Sequence, residues 1–336
     1  MTVTSKRWIL SQRPASAPSP SDLEFTEAGL PDPKPGEFLA RTVYLSLDPA
    51  QRISMSDRTQ YAPPVEVGSV MRGFSLSQIV VSRNPNFSAG DFIRAAGGWQ
   101  DYWIGSDGVK LDTRIGSLED HMSLLGITGA TAYFCLLEAG QPKAGETVVV
   151  SSAAGAVGSL AGQIAKLKGC RVVGIAGSNE KCLHVVNALG FDACVNYKSP
   201  TFSADLTEAC PGGIDVNFEN VGGAVLDTVL PMMNLHGRIA ICGLISTYNE
   251  EGPVRGPLNF DLTLMRRLVI RGFLIGDYWP RMNEAAQALS SWRADGRIHN
   301  SVHVIDGGIS YALEAITVLF QGGNFGKVLL KVSEPA

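Results

Sequence analysis

Residues 147–181 read TVVVSSAAGAVGSLAGQIAKLKGCRVVGIAGSNEK. The β-branched, apolar run that opens this stretch, 147–152, is typical of a short buried strand. A turn of small residues follows, and a helical pattern over 156–168 places its apolar side chains on one stripe. A second apolar run covers 170–176. A strand, a glycine turn, a helix and a second strand thus follow one another without a gap, which predicts a βαβ unit with parallel strands.

The turn between the first strand and the helix suits a dinucleotide. Gly155 lets the backbone approach a pyrophosphate without a Cβ in the way, and Gly158 lets the helix pack closely on the strand. Ala156 and Val157 begin the helix, whose free N–H groups and dipole favour a phosphate charge. Because Ala153 stands where the usual motif has its first glycine, an ordinary βαβ turn stays open as the alternative.

The end of the second strand indicates which dinucleotide is bound. An NAD site usually has an acidic residue there, about 20 residues after the glycine turn, that binds the ribose 2′-hydroxyl. Gly177 and Ser178 occupy that place here, and Lys181 follows one helical turn later. A small neutral pocket with a lysine suits a 2′-phosphate, so we expect NADPH/NADP+. Glu180 opposes this interpretation but comes two positions late, and Lys181 as a solvated surface lysine is the alternative.

Composition excludes several classes of protein. A length of 336 residues predicts two domains, and a composition of 45% hydrophobic and 18% charged residues predicts that they are globular. The net charge of −4 predicts no nucleic-acid partner. No apolar run reaches the ~18 residues of a membrane helix, and we expect no signal peptide, no membrane partner and a cytoplasmic location. The six cysteines and five histidines lack metal-ligand spacing, so we expect no metal and cysteines in a reducing compartment.

The rest of the chain divides into two patterns. Residues 1–35 are rich in proline, which predicts irregular or edge-strand structure, and short β-type runs from 36 to 110 predict an all-β, partly barrelled domain. After a helix at 129–139, strands and helices alternate, and this alternation predicts an α/β fold with a doubly wound parallel sheet. Strands are predicted at 147–152, 170–176, 193–197, 214–219, 237–242 and 268–274, and helices near 156–168, 179–188, 201–209, 223–234 and 281–294. A final helix at 310–320 and a strand at 327–332 are expected to return to the first domain.

Three later strand ends carry glycines or polar residues, where ligands of parallel sheets bind. Tyr248 lies just beyond the fifth strand, and its phenol can donate a hydrogen bond or a proton to an oxygen that gains charge. Tyr61 lies in a proline-stiffened loop of the first domain. Arg52 could bind a substrate or a cofactor phosphate. The alternatives are packed or surface tyrosines and a structural ion pair for Arg52.

Several motifs resemble those of a known family, the zinc-independent medium-chain dehydrogenase/reductases. The subgroup is that of prostaglandin reductase (leukotriene B4 12-hydroxydehydrogenase) and of the curcumin and alkenal double-bond reductases. The resemblance covers almost the full chain, and its motifs lie at 45–49, 153–158, 177–181, 196–198, 219–223, 242–249 and 322–327. It implies a GroES-like, mostly-β catalytic domain, residues 1–125 with 305–336, and a Rossmann NADP(H)-binding domain, residues 126–304.

The resemblance also implies roles for individual residues. Ser178, Lys181 and Tyr197 would bind the 2′-phosphate end, and Gly155–Gly158 the pyrophosphate. Asn220 and the segment with Cys242, Gly243, Ile245, Ser246 and Tyr248 would line the ribose and nicotinamide. The remaining implied contacts are the backbone of Phe273, Leu274 and Ile275 at the carboxamide, Asn324 at the nicotinamide end, and Tyr61 and Arg52 on the substrate side.

The implied activity is NADPH-dependent reduction of the C=C bond of a small α,β-unsaturated ketone or aldehyde. A hydride would add to the β-carbon, and Tyr248 with the ribose hydroxyl would stabilise the enolate, with either Tyr248 or Tyr61 as proton donor. The family's Asp-Pro-Tyr-Met-Arg is Asp48-Pro49-Ala50-Gln51-Arg52 here, which leaves the substrate open. The alternatives are quinone reduction, secondary-alcohol oxidation, or an NADPH-binding redox sensor or structural protein without turnover. The resemblance further suggests a homodimer.

Overall fold

The structure is a computed structural model that describes residues 3–250 and 252–335. Its strands are β1 (Val3–Leu10), β2 (Leu23–Leu30), β3 (Phe38–Ser46), β4 (Ser75–Ser82), β5 (Phe92–Ala95), β6 (Tyr102–Gly105), β7 (Val109–Lys110), β8 (Thr147–Ser151), β9 (Arg171–Ala176), β10 (Ala193–Asn196), β11 (Ile214–Glu219), β12 (Met233–Ile241), β13 (Val269–Gly272), β14 (Val302–Asp306) and β15 (Lys327–Lys331). Its α-helices are α1 (Ala50–Ser54), α2 (Leu118–Met122), α3 (Ile127–Phe134), α4 (Ala156–Leu167), α5 (Asn179–Leu189), α6 (Phe202–Ala209), α7 (Gly223–Val229), α8 (Leu262–Met265), α9 (Met282–Ala294) and α10 (Ala312–Gln321).

The predicted doubly wound sheet is confirmed. Its six strands lie in the order β10-β9-β8-β11-β12-β13, and every neighbouring pair is parallel. The valines of β8, Val148–Val150, are fully buried, as are the apolar positions of α4 that face them. The strand order reverses between β8 and β11, and in such sheets a ligand binds at the carboxyl ends of the strands beside that point.

The predicted β-rich half is also confirmed. A seven-stranded sheet has the order β14-β15-β3-β4-β5-β7, with β6 paired to β3, and β1 and β2 form a separate antiparallel pair. The C-terminal strand β15 joins this sheet between β14 and β3. The chain therefore returns to its first half after the parallel sheet, as expected. Strand β14 crosses the predicted domain boundary at 304/305 and pairs wholly within the first sheet, and the division into domains stays a prediction.

Two elements differ from expectation. The helix predicted at 223–234 ends at Val229, because Pro231 lies in a short 3₁₀ turn over Leu230–Met232 and cannot continue an α-helix. Strand β12 begins at Met233, four residues before the predicted start, and His236 within it has a left-handed φ of 63°. At the N-terminus, the edge-strand part of the expectation is confirmed, since β1 and β2 form a two-stranded sheet and the prolines fall between and after these strands.

Candidate functional site

The turn after β8, residues 152–158, is built from close backbone contacts, and we call it the glycine turn. A Cβ at Gly158 would lie 2.3 Å from the Ser152 carbonyl oxygen, so no side chain fits there. A Cβ at Gly155 would lie 2.7 Å from the Ser152 Oγ. Ser152 itself has a left-handed φ of 53°. The turn therefore presents backbone and a helix start to whatever lies above it, the arrangement that binds phosphate groups.

The loop between α10 and β15, residues 322–326, packs on the glycine turn, and we call it the returning segment. The Gly326 N–H donates to the Ala154 carbonyl at 2.8 Å, and Gly326 forms a bridge with Gly155. Asn324 is 7% exposed, and its amide donates to the Gly326 carbonyl at 2.8 Å. The structure thus places Asn324 in a turn against the glycine turn, where it fixes the segment's own backbone.

A buried carboxylate lies where the strand order reverses, at the edge of the sheet formed by the carboxyl ends of the parallel strands. We call this edge the crest. Glu219 is fully buried. Its Oε1 accepts from the Ser151 hydroxyl at 2.7 Å and from the Val221 and Gly222 N–H groups at 2.7 and 2.9 Å. The Asn220 amide donates to the Ser151 carbonyl at 2.7 Å. A carboxylate that accepts several hydrogen bonds can stay buried, and here it fixes the ends of β8 and β11 against each other.

The segment after β12, residues 242–249, lies on this crest, and we call it the tyrosine segment. The Cys242 and Gly243 N–H groups both donate to the Glu219 carbonyl, and Ile245 N–H donates to the Asn220 carbonyl at 3.1 Å. The Ser246 hydroxyl donates to the Val221 carbonyl at 2.6 Å. Next to it, Phe273 N–H donates to the Ile241 carbonyl at 3.0 Å, which places 273–275 directly after β13 at the same edge. The structure therefore brings Asn220, residues 242–248 and residues 273–275 together at one edge of the sheet.

Tyr248 is the phenol at the centre of the tyrosine segment. Its hydroxyl oxygen accepts from the Leu244 N–H at 3.2 Å, so its own proton stays free to be donated elsewhere. Burial raises the pKa of Tyr248, and the nearby Cys242 thiol and Tyr61 hydroxyl raise it further, against the Leu244 hydrogen bond, which lowers it. The phenol is thus protonated at neutral pH.

The start of α5 holds the predicted phosphate-side residues. Ser178 caps the helix, and its hydroxyl accepts from the Lys181 N–H at 3.2 Å. Tyr197 is 40% exposed and lies over Gly177, where a Cβ would be 3.2 Å from its ring. The sequence prediction missed Lys198, whose Nζ lies 5.9 Å from the centroid of the Tyr197 ring. We call Ser178, Lys181, Tyr197 and Lys198 the lysine cluster.

The lysine cluster is electropositive. Burial lowers the pKa of Lys181, and the neighbouring Lys198 lowers it further, with Glu180 opposing both. A half-buried ammonium group with a second, exposed one beside it is a site for an anion. In the sequence, Lys198 was part of the family motif at 196–198 but was not singled out. A lysine that follows a strand looks like an ordinary surface residue unless its nearness to Lys181 is known.

Tyr61 lies in a loop that forms an open pocket of about 340 Å³, lined by residues 58–64. Its side chain is 63% exposed. A phenol with this exposure is free to contact a ligand, and its role on the substrate side stays a prediction.

Arg52 is buried, and most of its guanidinium contacts are with oxygens of the chain itself. It is 2% exposed, its Nε donates to the Ser16 carbonyl at 2.7 Å and to the Asn249 Oδ1 at 3.2 Å, and its Nη2 donates to the Pro14 carbonyl at 3.1 Å. In the described part of the chain its partners are carbonyl and amide oxygens and not carboxylates, so the structural ion pair is wrong, and the role in binding a substrate or phosphate stays a prediction. Burial lowers the pKa of Arg52 most, the positive charge of Arg58 lowers it further, and the negative charge of Asp22 raises it.

Arg58 is a second arginine that the sequence prediction did not single out. Its Nη1 donates to the Thr247 carbonyl at 2.8 Å. Arg52 and Arg58, both from the first half of the chain, therefore hold the residues on either side of Tyr248. No local sequence pattern could have found this pair, because it forms only when the two halves of the fold meet.

Comparison with known proteins identifies the family. Two family models match, one described as an N-terminal domain of oxidoreductase over residues 6–112 and one described as a zinc-binding dehydrogenase over residues 156–291. An NADPH-dependent curcumin reductase of Escherichia coli is 44% identical, with 98% of this chain and 97% of the relative covered. Prostaglandin reductase 1 of Bos taurus is 37% identical, with 98% and 99% covered. The chain belongs to the medium-chain dehydrogenase/reductase family.

Solved structures place this family member in the predicted subgroup. CurA from Vibrio vulnificus matches with a TM-score of 0.93 and 41% identity, covering 99% of this chain and 100% of CurA. CurA in complex with NADPH matches with a TM-score of 0.94 and 42% identity, covering 98% and 100%. The resemblance found in the sequence is thereby confirmed, in the curcumin reductase and prostaglandin reductase subgroup.

A metal-binding group and a membrane-spanning helix are both absent from the residues that the structure describes. Within residues 3–250 and 252–335, histidine, cysteine and carboxylate side chains do not gather into a group of three that could hold a metal ion. Over the same residues, none of the helices combines the length and hydrophobicity that a membrane crossing requires.

Proposed function

We propose that this protein reduces the C=C bond of small α,β-unsaturated ketones and aldehydes with NADPH. The curcumin reductase and prostaglandin reductase relatives, which match over nearly the full chain, support this proposal. The likeness to CurA in complex with NADPH supports the choice of cofactor. The observation that carries the proposal is the Tyr248 hydroxyl, which accepts from Leu244 and keeps its own proton available at the crest of the sheet.

The described residues fit NADPH. A Cβ at Gly155 or Gly158 would meet Ser152 of the same turn, so the turn is close-packed without side chains at these two positions, which suits a pyrophosphate that approaches the backbone. Lys181 and Lys198 provide positive charge for the 2′-phosphate, and Ser178 and Tyr197 lie beside them. The chain segments at Asn220, 242–248 and 273–275 would enclose the ribose and the nicotinamide. When bound, NADPH supplies the hydride that adds to the β-carbon of the substrate.

The protein's own part in the reaction is to hold and polarise the substrate. As negative charge develops on the carbonyl oxygen, Tyr248 donates a hydrogen bond to that oxygen and stabilises the enolate. Its raised pKa keeps the donor protonated, because burial disfavours the phenolate. Tyr61, exposed in its pocket, would contact the substrate from the first half of the chain. Arg52 is buried behind the tyrosine segment, so its part is to hold Asn249.

The test is steady-state turnover with a panel of substrates. NADPH and NADH consumption would be measured with enones, enals and quinones, and NADP+ reduction with secondary alcohols. We expect turnover of enones and enals with NADPH well above that with NADH. Faster turnover of quinones or alcohols than of any enone would replace the proposed reaction, and tight NADPH binding without turnover of any substrate would indicate a non-catalytic protein.

We also propose that two copies associate through β13. This strand is the edge of the parallel sheet, and all four of its residues are exposed. Leu258 and Leu264, which precede it in the chain, are 83% and 74% exposed. An edge strand with adjoining apolar side chains can pair with the same strand of a second copy about a two-fold axis. Light scattering after gel filtration should give a dimer mass for the wild type and a monomer mass for Leu264→Glu, and a wild-type monomer would contradict the proposal.

The cytoplasmic location stays a prediction. Cell fractionation with antibodies against the protein would test it, and recovery in a membrane or secreted fraction would contradict it.

A further inference from the structure

One aromatic side chain of the returning segment reaches the lysine cluster, although no role in it is assigned to that residue. The Lys181 Nζ lies 5.7 Å from the centroid of the Phe325 ring. His184, one turn further along α5, contacts the same ring edge-on, with centroids 5.1 Å apart and planes at 74°. Phe325 therefore lies against two successive turns of the helix that begins at the cluster.

The backbone on both sides of Phe325 is fixed. Gly326 has a left-handed φ of 66°, its N–H is bonded to Ala154, and a Cβ on it would lie 1.9 Å from the Ser301 carbonyl oxygen. On the other side, Asn324 is buried and bonded within the turn. Gly322 ends α10 in the left-handed region, and a Cβ there would lie 3.9 Å from Lys181 Nζ. The ring is thus directed at α5 by a rigid loop.

The two lysines of the cluster are held in the same way. Lys198 lies over the ring of Tyr197, which belongs to its own half of the chain, and Lys181 lies over the ring of Phe325, which comes from the returning segment. A cation over an aromatic face is attracted by the ring quadrupole, and more strongly when the cation is partly desolvated. Lys181 is half-buried. The ring therefore restricts the Lys181 side chain before any ligand arrives.

We propose that Phe325 is a positioning residue for 2′-phosphate recognition, and that it sets the preference for a phosphorylated dinucleotide by holding Lys181 in place. This rests on the proposed function, because it assumes that the lysine cluster takes the 2′-phosphate. A side chain already held in its binding position loses less conformational freedom when the phosphate binds, and affinity rises accordingly. Because Phe325 lies between α10 and β15, the same contact ties phosphate recognition to the half of the molecule that carries Tyr61.

The experiment measures binding of 2′,5′-ADP and 5′-AMP to the full chain by calorimetry. The two probes differ by the 2′-phosphate alone and need no turnover. We expect the wild type to prefer 2′,5′-ADP. Phe325→Leu should weaken 2′,5′-ADP binding by about three- to fivefold, the size of one cation–π contact, and leave 5′-AMP binding unchanged. Phe325→Tyr, which keeps the ring, should bind 2′,5′-ADP as the wild type does.

A double-mutant cycle separates positioning from a general effect. Lys181→Met should lose most of the preference for 2′,5′-ADP, and adding Phe325→Leu to it should cost nothing more, because the ring acts through the lysine. Leu183→Ala, an exposed position on the same helix, is the matched control and should change neither affinity. Thermal unfolding checks each variant, and Phe325→Met replaces Phe325→Leu as the variant without a ring if the leucine variant is poorly folded.

The outcomes distinguish the two proposals. If the wild type shows no preference for 2′,5′-ADP, the lysine cluster does not bind the 2′-phosphate and the NADPH proposal fails together with this one. If the wild type shows the preference but Phe325→Leu binds 2′,5′-ADP equally well or more tightly, or weakens both probes alike, only the role of Phe325 is wrong.

Discussion

The glycine turn and the tyrosine segment lie at the same edge of one sheet but are held in different ways. The glycine turn is fixed by its own backbone, with Gly158 against the Ser152 carbonyl. The tyrosine segment is fixed on its outer side by arginines from the other half of the chain, Arg58 at Thr247 and Arg52 at Asn249. The glycine turn thus owes its shape mainly to local contacts, with one hydrogen bond from Gly326 of the returning segment to Ala154, whereas the geometry at Tyr248 depends on side chains from the other half of the chain.

The largest effect should come from a change in the glycine turn. In Gly158→Ala the added Cβ would lie 2.3 Å from the Ser152 carbonyl oxygen. A side chain could rotate away from such a clash, but a backbone oxygen cannot, so the backbone of the turn must move. We expect a loss of about 1–3 kcal/mol in stability from the overpacking, and no measurable binding of NADP+. Thermal unfolding and a fluorescence titration with NADP+ would measure the two effects.

Gly212→Ala is the control for that substitution. An added Cβ at Gly212 would have no neighbour within 4 Å, so NADP+ affinity should stay at the wild-type value. Tight NADP+ binding by Gly158→Ala would show that the turn is less rigid than its contacts indicate, and the contrast between the two regions would disappear.

The next largest effect should come from the tyrosine segment. Tyr248→Phe removes the hydrogen-bond donor and keeps the ring, so NADP+ affinity should hardly change. Loss of one such donor typically costs about 2.7–4 kcal/mol in the transition state, or a 10²- to 10³-fold lower kcat. Steady-state kinetics on an enone would measure it. Tyr311→Phe, at an exposed tyrosine of the turn before α10, should turn over as the wild type does. Wild-type turnover by Tyr248→Phe would remove the proposed role.

The same contrast explains what the sequence could predict. The βαβ unit, Gly155 and Gly158 were predictable because strand, turn and helix are contiguous, and the turn's contacts are local. The roles of Tyr248 and Asn220 were suggested by their places at strand ends, with the family resemblance adding the detail. Local patterns carry this much because parallel strands place their carboxyl ends at one edge.

The contacts that were missed join residues far apart in the chain. Arg58 meets Thr247 across 189 positions, and the Arg52 to Asn249 contact spans 197. Neither the charge nor the spacing of an arginine predicts a carbonyl partner at such a distance. The end of α7 was predicted too late for a different reason, since Pro231 stops the helix but the surrounding apolar pattern continues.

A smaller effect should follow from loosening the tyrosine segment without touching Tyr248. Arg58→Ala removes a charged donor from the Thr247 carbonyl, a type of bond that contributes about 1.5–3 kcal/mol. We expect kcat on an enone to fall by about tenfold, since the remaining Arg52 contact still holds Asn249. Arg58→Lys should recover part of the loss, and Arg255→Ala, at an exposed arginine, should have no effect. An unchanged kcat in Arg58→Ala would mean that the segment is held from its own half alone.

The smallest effect is the pH dependence of kcat, which tests the role of the Tyr248 phenol. Burial raises the pKa of this phenol above its usual value near 10, and Cys242 and Tyr61 raise it further. Because the protonated phenol is the donor, activity that depends on it should be retained at alkaline pH and lost only as the pH passes the raised pKa. We therefore expect kcat on an enone to stay within about twofold from pH 7 to pH 9.5 in the wild type. Tyr248→Phe has no phenol to ionise at this position, so its residual kcat should not fall at alkaline pH. A wild-type decline beginning near pH 8 would mean that a group other than this buried phenol supplies the hydrogen bond.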